Sequence, residues 1–324
     1  MTLRSVVRGV GHCLPARVVE NAEFEATLDT SDEWIRSRSG IERRHIAADG
    51  QCTSDLAIAA ARAALADAGL DAGALDAIIV ATSTPDFTFP SVATMVQAGI
   101  GMPGGFAFDV QAVCAGFVYG LGNADALIRG GLARRVMVIG AETFSRIMDW
   151  TDRSTCVLFG DGAGALILEA TEGAGAATDR GILAVDLNAD GRLRGILDVD
   201  GGVSSTQTAG QLRMQGREVF RHAVEKLAAT AETTLAKAGV TAADLDWLVP
   251  HQANLRIIRG TAAKLGLPLR KVVVTVQDHG NTSAASIPLA LSVAQSEGRL
   301  RQGDLVLTEA IGGGLAWGAV LLRW

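Results

Sequence analysis

The chain has 324 residues, of which 48% are hydrophobic and 20% are charged. This length and composition exclude a disordered protein and are sufficient for one large or two ordinary globular units. The formal net charge is −6 at pH 7, no basic cluster is interleaved with aromatic residues, and no apolar run approaches the roughly 18 residues of a membrane span, so we expect neither a nucleic-acid partner nor a membrane.

The four cysteines are far apart in the sequence and show no CxxC spacing; they are Cys13, Cys52, Cys114 and Cys156. This spacing argues against a zinc site and against a disulfide framework, and it fits a reducing compartment. The first residues, MTLRSVVRGVGHCLP, lack the apolar core of a signal peptide. We therefore expect a cytoplasmic protein without a bound metal.

The first strong structural signal is an Ala-rich helix that stops at Gly69, followed by a short acidic loop and the buried strand AIIVATS. Residues 236–252 align with residues 66–82 without a gap, at an offset of 170, and six of the seventeen positions match. The strand-like stretches RRVMVIGAE and GDLVLTEAIGG also correspond, as do GAGALILEA and WGAVLLRW. Several matches in the same order predict two halves of similar fold.

Short β-branched runs alternate with Ala-rich helical stretches, which predicts α/β layers with mostly parallel, buried strands. We expect one half at 1–175 and the other at 176–324, joined within TEGAGAATDRG. The stretch 188–210 is typical of a Gly/Asp-rich surface excursion, and KVVVTV of a strand. Because ligands gather beyond the carboxyl ends of such strands, a pseudo-two-fold axis would bring equivalent strand ends to one cavity.

Cys114 lies in FDVQAVCAGFVYGLGNADALIRGG, where an apolar strand-like stretch changes into a helical one. At the start of a helix, the macrodipole and the free N–H groups stabilise a thiolate, so we expect a pKa below the free value of about 8.5. Cys114 is therefore a candidate nucleophile. The alternative is a small buried hydrophobic residue.

Two residues of the second half are expected to face Cys114. His251 ends the strand DWLVP, and Asn281 lies just ahead of the helix that corresponds to the Cys114 helix. A neutral imidazole N–H and an Asn amide can donate two hydrogen bonds to one carbonyl oxygen, which suits the stabilisation of an enolate. An acid in place of Asn281 would instead favour a hydrolytic triad. The pattern favours carbon–carbon bond formation over hydrolysis.

The glycine run AIGGGLAWG (310–318) lets the backbone approach a ligand, and its N–H groups are candidates for an oxyanion hole around an acyl-cysteine. Neither this run nor FGDGAGA (159–165) fits a phosphate-binding motif. FGDGAGA is predicted to be a structural turn.

With these motifs, the chain resembles the β-ketoacyl-[acyl-carrier-protein] synthase III family of the thiolase-like superfamily. The matching stretches, in order along essentially the whole chain, are TSDEWIRSRSGIERRHIA, DVQAVCAGF, DRSTCVLFGDGAGA, HQANLRII, HGNTSAASIPLAL and AIGGGLAWG. The resemblance implies a thiolase-like α/β fold of two duplicated halves in a layered α-β-α-β-α architecture.

The resemblance also implies a ping-pong acyltransferase mechanism that initiates fatty-acid biosynthesis. Cys114 takes the acyl group of an acyl-CoA primer, acetyl-CoA first of all, while the backbone N–H groups of Cys114 and Gly313 bind the oxyanion. Malonyl-acyl-carrier protein follows, and His251 and Asn281 stabilise the enolate formed by loss of CO2. Attack on the acyl-cysteine gives 3-oxoacyl-carrier protein, and no metal or redox cofactor takes part.

Further residues are assigned by the same resemblance. They are Thr30, Trp34, Arg38, Arg153 and Asn254 for CoA, with Trp34 and Arg153 flanking the adenine; Arg221 and Arg256 for docking of the acyl carrier protein; and Phe89 and Met214 for the acyl pocket. Phe89 resembles a loop residue that closes this pocket across a homodimer interface. A flat aromatic ring and a planar guanidinium are suited to stacking on adenine.

Three alternatives stay open. Relatives on the same fold start polyketides or other secondary metabolites from different primers, and the sequence does not rank acetyl against branched or longer acyl groups. A cysteine thioesterase or amidase is a second possibility, since some cysteine hydrolases use Asn. A non-catalytic acyl-binding scaffold is the third.

Overall fold

Two main β-sheets, with helices between them and on both outer sides, form the frame of the computed structural model, which describes residues 2–324. The strands are β1 (Thr2–Cys13), β2 (Arg17–Glu20), β3 (Arg43–Ile46), β4 (Ala77–Ala81), β5 (Phe106–Val110), β6 (Arg135–Thr143), β7 (Asp161–Gly173), β8 (Gly181–Ala189), β9 (Leu197–Val199), β10 (Leu212–Met214), β11 (Trp247–Pro250), β12 (Leu305–Gly312) and β13 (Ala316–Arg323). The helices are α1 (Asn21–Glu25), α2 (Asp32–Ser39), α3 (Thr53–Ala68), α4 (Val92–Ile100), α5 (Gly116–Arg129), α6 (Gly216–Lys237), α7 (Leu255–Lys264), α8 (Val276–His279) and α9 (Ser286–Ser296).

The first sheet has the strand order β1-β7-β6-β4-β5, and the second has β11-β12-β13-β8. The pairs β4–β5, β4–β6 and β11–β12 are parallel, whereas β7 and β13 pair antiparallel to both of their neighbours. The prediction of mostly parallel strands is therefore wrong for the strand pairs that β7 and β13 form. The sheets are joined through residues 174–180, where the boundary between the halves is predicted.

The aligned segments of the two halves adopt the same local structure. Helix α3, a left-handed glycine, a one-turn 3₁₀ helix and β4 recur as α6, a left-handed glycine, a 3₁₀ turn and β11. The glycines are Gly69 and Gly239, with φ of 64° and 69°. Glycine adopts this conformation without the steric penalty of a Cβ atom, which explains why both helices stop there.

A pair of aspartates extends the 170-residue offset from sequence to contacts. A carboxylate oxygen of Asp76 accepts a hydrogen bond from the backbone N–H of Arg135 at 2.8 Å, and Asp246 accepts one from the N–H of Leu305 at 2.8 Å. Each aspartate directly precedes a strand, β4 or β11, and binds the start of the neighbouring strand. The prediction of two halves of similar fold is confirmed by these matched contacts.

The five layers follow from the distribution of apolar side chains. Helices α5 and α9 lie between the sheets, where Phe117 and Leu291 share a core with Val138 of the first sheet and Val320 of the second. Helix α3 packs on the outer face of the first sheet, and α6 and α7 pack on that of the second. This arrangement confirms the predicted α-β-α-β-α architecture. No helix among residues 2–324 is both long enough and apolar enough to cross a membrane.

The prediction of a surface excursion over 188–210 is wrong for part of that stretch. Leu197 starts a short hairpin of β9 and β10, and its side chain is buried together with that of Leu212. Residues 203–209 at the tip are exposed, as expected. The buried leucines bring this hairpin to the wall of the central cavity described below.

KVVVTV was predicted to be a strand, and this too is wrong. Val272 forms only an isolated bridge with Leu248. The side chain of Gln252 then binds the following backbone groups, donating to Val273 O at 3.1 Å and accepting from Thr275 N at 2.8 Å. A buried side-chain amide thus replaces part of the sheet ladder, and the chain turns into α8.

Candidate active site

Two strained turns, one in each half, hold the centre of the site. Cys114 lies in the one-turn 3₁₀ helix Val113–Ala115 directly before α5, and Ser283–Ala285 form the matching turn before α9. The first residue of each turn, Val113 or Ser283, has a φ of 49°. This left-handed conformation is unusual for residues other than glycine and occurs preferentially at functional sites.

Glycines allow these turns to approach each other and the glycine run. A Cβ atom on Gly140 of β6 would overlap the carbonyl oxygen of Ala284, and one on Gly312 would lie 2.6 Å from the backbone nitrogen of Cys114. Gly312 therefore lies against the backbone amide of Cys114. Gly313, the predicted second oxyanion donor, is the next residue along this run.

Cys114, His251 and Asn281 line one cavity of about 350 Å³. Their exposed fractions are 4%, 4% and 6%, so all three side chains are buried. The thiol comes from the first half of the chain, and the imidazole and carboxamide come from the second. The structure thus brings together the three residues that the symmetry argument selected.

Burial raises the pKa of Cys114 to about 12, and the charge of Glu142 adds to this effect. The nearby Ser283 side chain and the cysteine's own backbone N–H lower the pKa but do not compensate. The expectation of a lowered pKa is wrong for the free protein. Desolvation of a buried thiolate outweighs the partial charge at the start of a helix.

Glu142, at the end of β6, was missed by the sequence analysis. One of its carboxylate oxygens accepts hydrogen bonds from Thr84 Oγ1 at 2.7 Å, from Ser83 N at 3.0 Å and from Thr82 Oγ1 at 3.3 Å. The other accepts from Ser283 Oγ at 3.1 Å. Burial raises the pKa of Glu142 to about 7 against the opposing effect of these donors. The sequence signal that could have identified Glu142 is an acid at the end of a buried strand, which is the same kind of position as that of His251.

His251 is held as a neutral imidazole, because burial lowers its pKa to about 3. Its Nδ1 lies 2.7 Å from Ser286 Oγ. Ser286 Oγ accepts a hydrogen bond from the backbone N–H of Gln252 at 3.2 Å, which leaves the hydroxyl hydrogen free to donate to Nδ1. In this arrangement the ring proton is on Nε2, and the imidazole is a hydrogen-bond donor.

Asn281 is fixed on both its backbone and its side chain. Its N–H donates to Leu158 O at 2.8 Å, and its own carbonyl accepts from Gly160 N at 3.0 Å. Its side-chain oxygen accepts from Ser283 N at 2.9 Å, so the amide NH2 is the group left for a ligand. The prediction that FGDGAGA is a turn is wrong for residues 161–165, which begin β7, whereas Phe159 and Gly160 bridge to Asn281 and position it.

Several other predicted residues reach the same cavity. Trp34, Arg38, Met214, Asn254 and Arg256 line it, together with Arg217, which the sequence analysis missed. Arg217 precedes the predicted Arg221 by one helical turn on α6 and so shares its face. The oxygen of Asn254 caps α7 by accepting from Ile257 N at 2.9 Å, which leaves its NH2 group available.

The predicted adenine site is closed in this structure. The guanidinium carbons of Arg38 and Arg153 lie 4.4 Å and 5.2 Å from the centre of the Trp34 ring, and Arg153 is paired with Asp29 at 2.9 Å. A ring inserted between two planar groups requires roughly 7 Å, twice the carbon contact distance of about 3.5 Å. Arg153 must therefore move outward before adenine can enter between it and Trp34.

The remaining predicted residues do not line this cavity. Arg153 lies over the Trp34 ring, and Thr30 precedes Trp34 by four residues in the chain. Arg221 is exposed and paired with Glu218 at 2.6 Å. Gly313 lines a neighbouring cavity of about 1140 Å³, which shares Val113, Phe144, Leu197 and Leu212 with the first. Phe89 is 83% exposed and lines neither cavity of its own chain.

Among residues 2–324, no group of three or more His, Cys, Asp and Glu side chains is arranged to hold a metal ion. The geometry offers a thiol and two neutral hydrogen-bond donors around one buried space, with a glycine run that packs against the backbone of Cys114. Such a set is suited to acyl transfer through a covalent thioester and to enolate stabilisation.

Comparison with known proteins agrees with this chemistry. Residues 108–191 match the family model of 3-oxoacyl-[acyl-carrier-protein] synthase III, and residues 235–324 match the model of the C-terminal part of the same enzyme. A beta-ketoacyl-[acyl-carrier-protein] synthase III of Ruegeria pomeroyi is 74% identical over 324 residues, which is 100% of both chains.

Solved structures of related proteins share the whole fold. The 3-oxoacyl-[acyl-carrier-protein] synthase III of Aquifex aeolicus superposes with a TM-score of 0.93 at 46% identity, covering 99% of this chain and 100% of that one. The priming beta-ketosynthase of the R1128 polyketide pathway also has a TM-score of 0.93, at 35% identity, over 100% of this chain and 97% of that one.

Proposed function

The chain belongs to the 3-oxoacyl-[acyl-carrier-protein] synthase III family of acyltransferases, and from this premise we propose how its residues catalyse the condensation that initiates fatty-acid biosynthesis. The substrates are an acyl-CoA primer, acetyl-CoA in the first instance, and malonyl-acyl-carrier protein. The observation that carries the assignment of residues is the convergence of Cys114, His251 and Asn281 on one buried cavity.

In the first half-reaction, the sulfur of Cys114 attacks the thioester carbonyl of the acyl-CoA. The backbone N–H groups of Cys114 and Gly313 stabilise the oxyanion, which is supported by the close approach of Gly312 to the Cys114 nitrogen. Collapse of the tetrahedral intermediate breaks the carbon–sulfur bond to CoA. The products are an acyl-cysteine and CoA.

In the second half-reaction, His251 Nε2–H and the Asn281 amide donate hydrogen bonds to the thioester carbonyl of malonyl-carrier protein. They stabilise the enolate that forms when CO2 leaves. Because the pKa of His251 is about 3, the imidazole stays neutral, and it holds the enolate without an acidic proton that would quench it. The enolate carbon attacks the acyl-cysteine and gives 3-oxoacyl-carrier protein.

The mouth of the cavity is the proposed CoA site. Arg38 and Asn254 line the cavity beside Trp34, and Arg153 lies over the Trp34 ring. Thr30, four residues before Trp34, is proposed to complete the site. Arg153 swings away from Asp29 when adenine stacks between Arg153 and Trp34. Arg221 and Arg256 provide positive charge for docking of the carrier protein, and Arg217 on the same helix face extends this surface.

The acyl pocket is proposed to include Met214 and, from a second copy of the chain, Phe89. The loop that carries Phe87 and Phe89 is unusually apolar for an exposed segment, with exposed fractions of 58% and 83% for these rings. A homodimer would bury both rings. The large neighbouring cavity beside Gly313 offers space for such an insertion.

The proposed chemistry uses no metal and no redox cofactor, since both half-reactions are completed by the thiol and the hydrogen-bond donors. We also infer a cytoplasmic location, which is supported by four cysteines that all carry free thiols, as a reducing compartment maintains them.

A starter-unit synthase of polyketide metabolism is the second candidate, and it is favoured by the fold match to the R1128 priming enzyme. The lower identity of that match, 35% against 46% for the Aquifex aeolicus synthase, supports the fatty-acid role. A thioesterase is disfavoured because His251 Nδ1 is paired with Ser286, so no carboxylate raises the basicity of the imidazole.

A primer panel tests this function. Purified protein is incubated with malonyl-carrier protein and acetyl-, branched and longer acyl-CoAs, and CO2 and carrier-bound products are measured. We expect CO2 release in step with formation of 3-oxoacyl-carrier protein. Release of free acid and CoA without CO2 would identify a hydrolase instead.

A further inference from the structure

The thiol of Cys114 needs a proton acceptor that the proposed mechanism does not name. Its burial raises the pKa to about 12, so a free thiolate is rare at neutral pH. His251 is neutral, its Nδ1 faces Ser286, and the tautomer that the proposed mechanism uses to hold the enolate carries the ring proton on Nε2. The imidazole therefore has no free lone pair with which to take the proton from sulfur.

The side chain of Ser283 lies between the thiol and a buried carboxyl group. The Ser283 side chain lies close enough to the Cys114 sulfur to lower the pKa of the thiol, and Ser283 Oγ donates a hydrogen bond to Glu142 Oε1 at 3.1 Å. The duplication explains this contact. Ser283 opens the turn of the second half that packs directly against the turn of Cys114, so a hydroxyl from one half reaches the thiol of the other.

Glu142 is surrounded by groups that suit a proton acceptor. Its Oε2 is held by Thr82, Ser83 and Thr84 from the segment after β4, and its Oε1 faces Ser283. The ionisable group beside it is the thiol of Cys114 itself. These partners are hydroxyls and an N–H group, which fix the carboxylate without supplying a positive charge that would make it a weak base.

We propose that Glu142 is a positioning and proton-accepting residue for Cys114, acting through the hydroxyl group of Ser283. This inference rests on the proposed function, because it concerns the acylation of the same cysteine. Its physical advantage is that one negative charge is present in the buried site before and after the transfer. A bare thiolate formed beside the ionised Glu142 would instead add a second negative charge to the buried site.

The step balances in atoms and charge. As the Cys114 sulfur bonds to the thioester carbon, its proton passes to Ser283 Oγ, and the Ser283 hydroxyl proton passes to Glu142 Oε1. The tetrahedral intermediate then expels the CoA thiolate, which takes a proton from solvent. In the condensation, the sulfur leaves the acyl group as a thiolate, and Glu142 returns the stored proton through Ser283.

The test uses the Glu142→Gln variant of the full-length protein and follows the two half-reactions separately. Acylation is measured by the mass increase of Cys114 peptides after mixing with acetyl-CoA at pH values across neutrality. Decarboxylation is measured as CO2 released from malonyl-carrier protein. In the wild type, acylation should accelerate as pH rises through about 7, where Glu142 ionises.

Glu142→Gln should slow acylation by about 100-fold, the lower range for loss of a general base, and should abolish the rise in rate near pH 7. Decarboxylation should stay within about twofold of the wild type, because it depends on His251 and Asn281. A purely structural role would move both half-reactions together.

Two further variants make the test decisive. Ser283→Ala removes the link but leaves Glu142 unchanged, and it should reproduce the slow acylation even if Glu142→Gln does not fold. Glu309→Gln is the matched control, since Glu309 is equally buried but its carboxylate oxygens have no hydrogen-bond partner within residues 2–324. It should acylate at the wild-type rate and with the wild-type pH profile.

Wild-type acylation in Ser283→Ala would overturn the inference, as would equal losses of acylation and decarboxylation in Glu142→Gln. Failure of the wild type itself to take the acetyl group would contradict the proposed function instead. The two failures are therefore distinguishable.

Discussion

Burial holds both reactive side chains of the site in their uncharged forms. The pKa of Cys114 rises to about 12 and that of His251 falls to about 3, so neither group titrates between about pH 5 and pH 8. Negative charge therefore develops at the site during the reaction. The hydrogen-bond donors that meet this charge, rather than a resting thiolate, determine the rate.

Two variants at the residue scale separate these roles. Cys114→Ala should lose all acyl transfer but retain decarboxylation of malonyl-carrier protein, since His251 and Asn281 remain. Asn281→Ala should still acylate Cys114 but lose about 10²–10³-fold in condensation, the range for removal of one oxyanion donor. Both are measured by acyl adduct mass and by product formation. An Asn281→Ala protein that condenses at the wild-type rate would refute the assigned role.

The sequence alone was sufficient to predict that Cys114, His251 and Asn281 would lie around one cavity, because the internal duplication relates the segments that carry them. It was insufficient for Glu142 and Ser283. Their proximity arises from the packing of two turns across the halves, which no local pattern records. The direction of the Cys114 pKa shift was missed for a related reason, since the helix start is visible in the sequence but the depth of burial is not.

At the scale of elements, glycines set how closely the two turns approach. Gly140→Ala would place a methyl group against the backbone of Ala284, and neither β6 nor the turn can yield without moving the other. We expect a loss of about 1–3 kcal/mol in the free energy of unfolding, measured by urea denaturation. Gly104→Ala is the control, because its Cβ meets nothing within 4 Å. Equal stability of the two variants would contradict this account of the turns.

The elements that repeat were predictable, and those that do not repeat were not. The order of helix, glycine stop and strand around Gly69 and Gly239 was visible twice, and the structure confirms it. KVVVTV has a strand composition, but the buried Gln252 amide takes its hydrogen bonds. Leu197 and Leu212 are isolated apolar residues in a polar stretch, and only tertiary contacts draw them into the cavity wall.

At the scale of the whole molecule, buried acids and histidines shape the dependence of stability on pH. The pKa of Glu309 is raised by burial to about 8, above its ordinary value of 4.5, so the folded state retains a proton that the unfolded state has lost. Its stabilising contribution is full at low pH and is lost as pH rises through about 8. The lowered pKa values of His251 and His279 act at the acidic end, where stability falls as pH drops below about 6.5.

The Glu309→Gln variant tests the predicted loss of stability as the pH rises above neutrality. The free energy of unfolding of the wild type should fall by about 1 kcal/mol between pH 7 and pH 8, since one retained proton is worth up to about 1.4 kcal/mol per pH unit. The variant should lose most of this fall, because Gln does not ionise. Glu172→Gln, at an exposed position, should behave as the wild type. An equally large fall in Glu309→Gln and in the wild type would contradict the role of this carboxyl group.

The overall architecture followed from the duplication, since two matching halves with strand ends facing one axis predict a shared chamber. The structure adds that the halves are not separable layers. Helices α5 and α9 are covered by apolar side chains of both sheets, so the thiol and its partners are held by one continuous core. The shared core, rather than either half alone, fixes the thiol and its partners in their relative positions.

The most direct test of the central claim is to follow one acetyl group through the protein. After incubation with labelled acetyl-CoA, peptide mass mapping should find the label on Cys114. Addition of malonyl-carrier protein should then move the label into 3-oxoacyl-carrier protein with release of CO2. Label on Cys13, Cys52 or Cys156, or an adduct on Cys114 that malonyl-carrier protein does not discharge, would contradict a chamber shared by the thiol, the imidazole and the carboxamide.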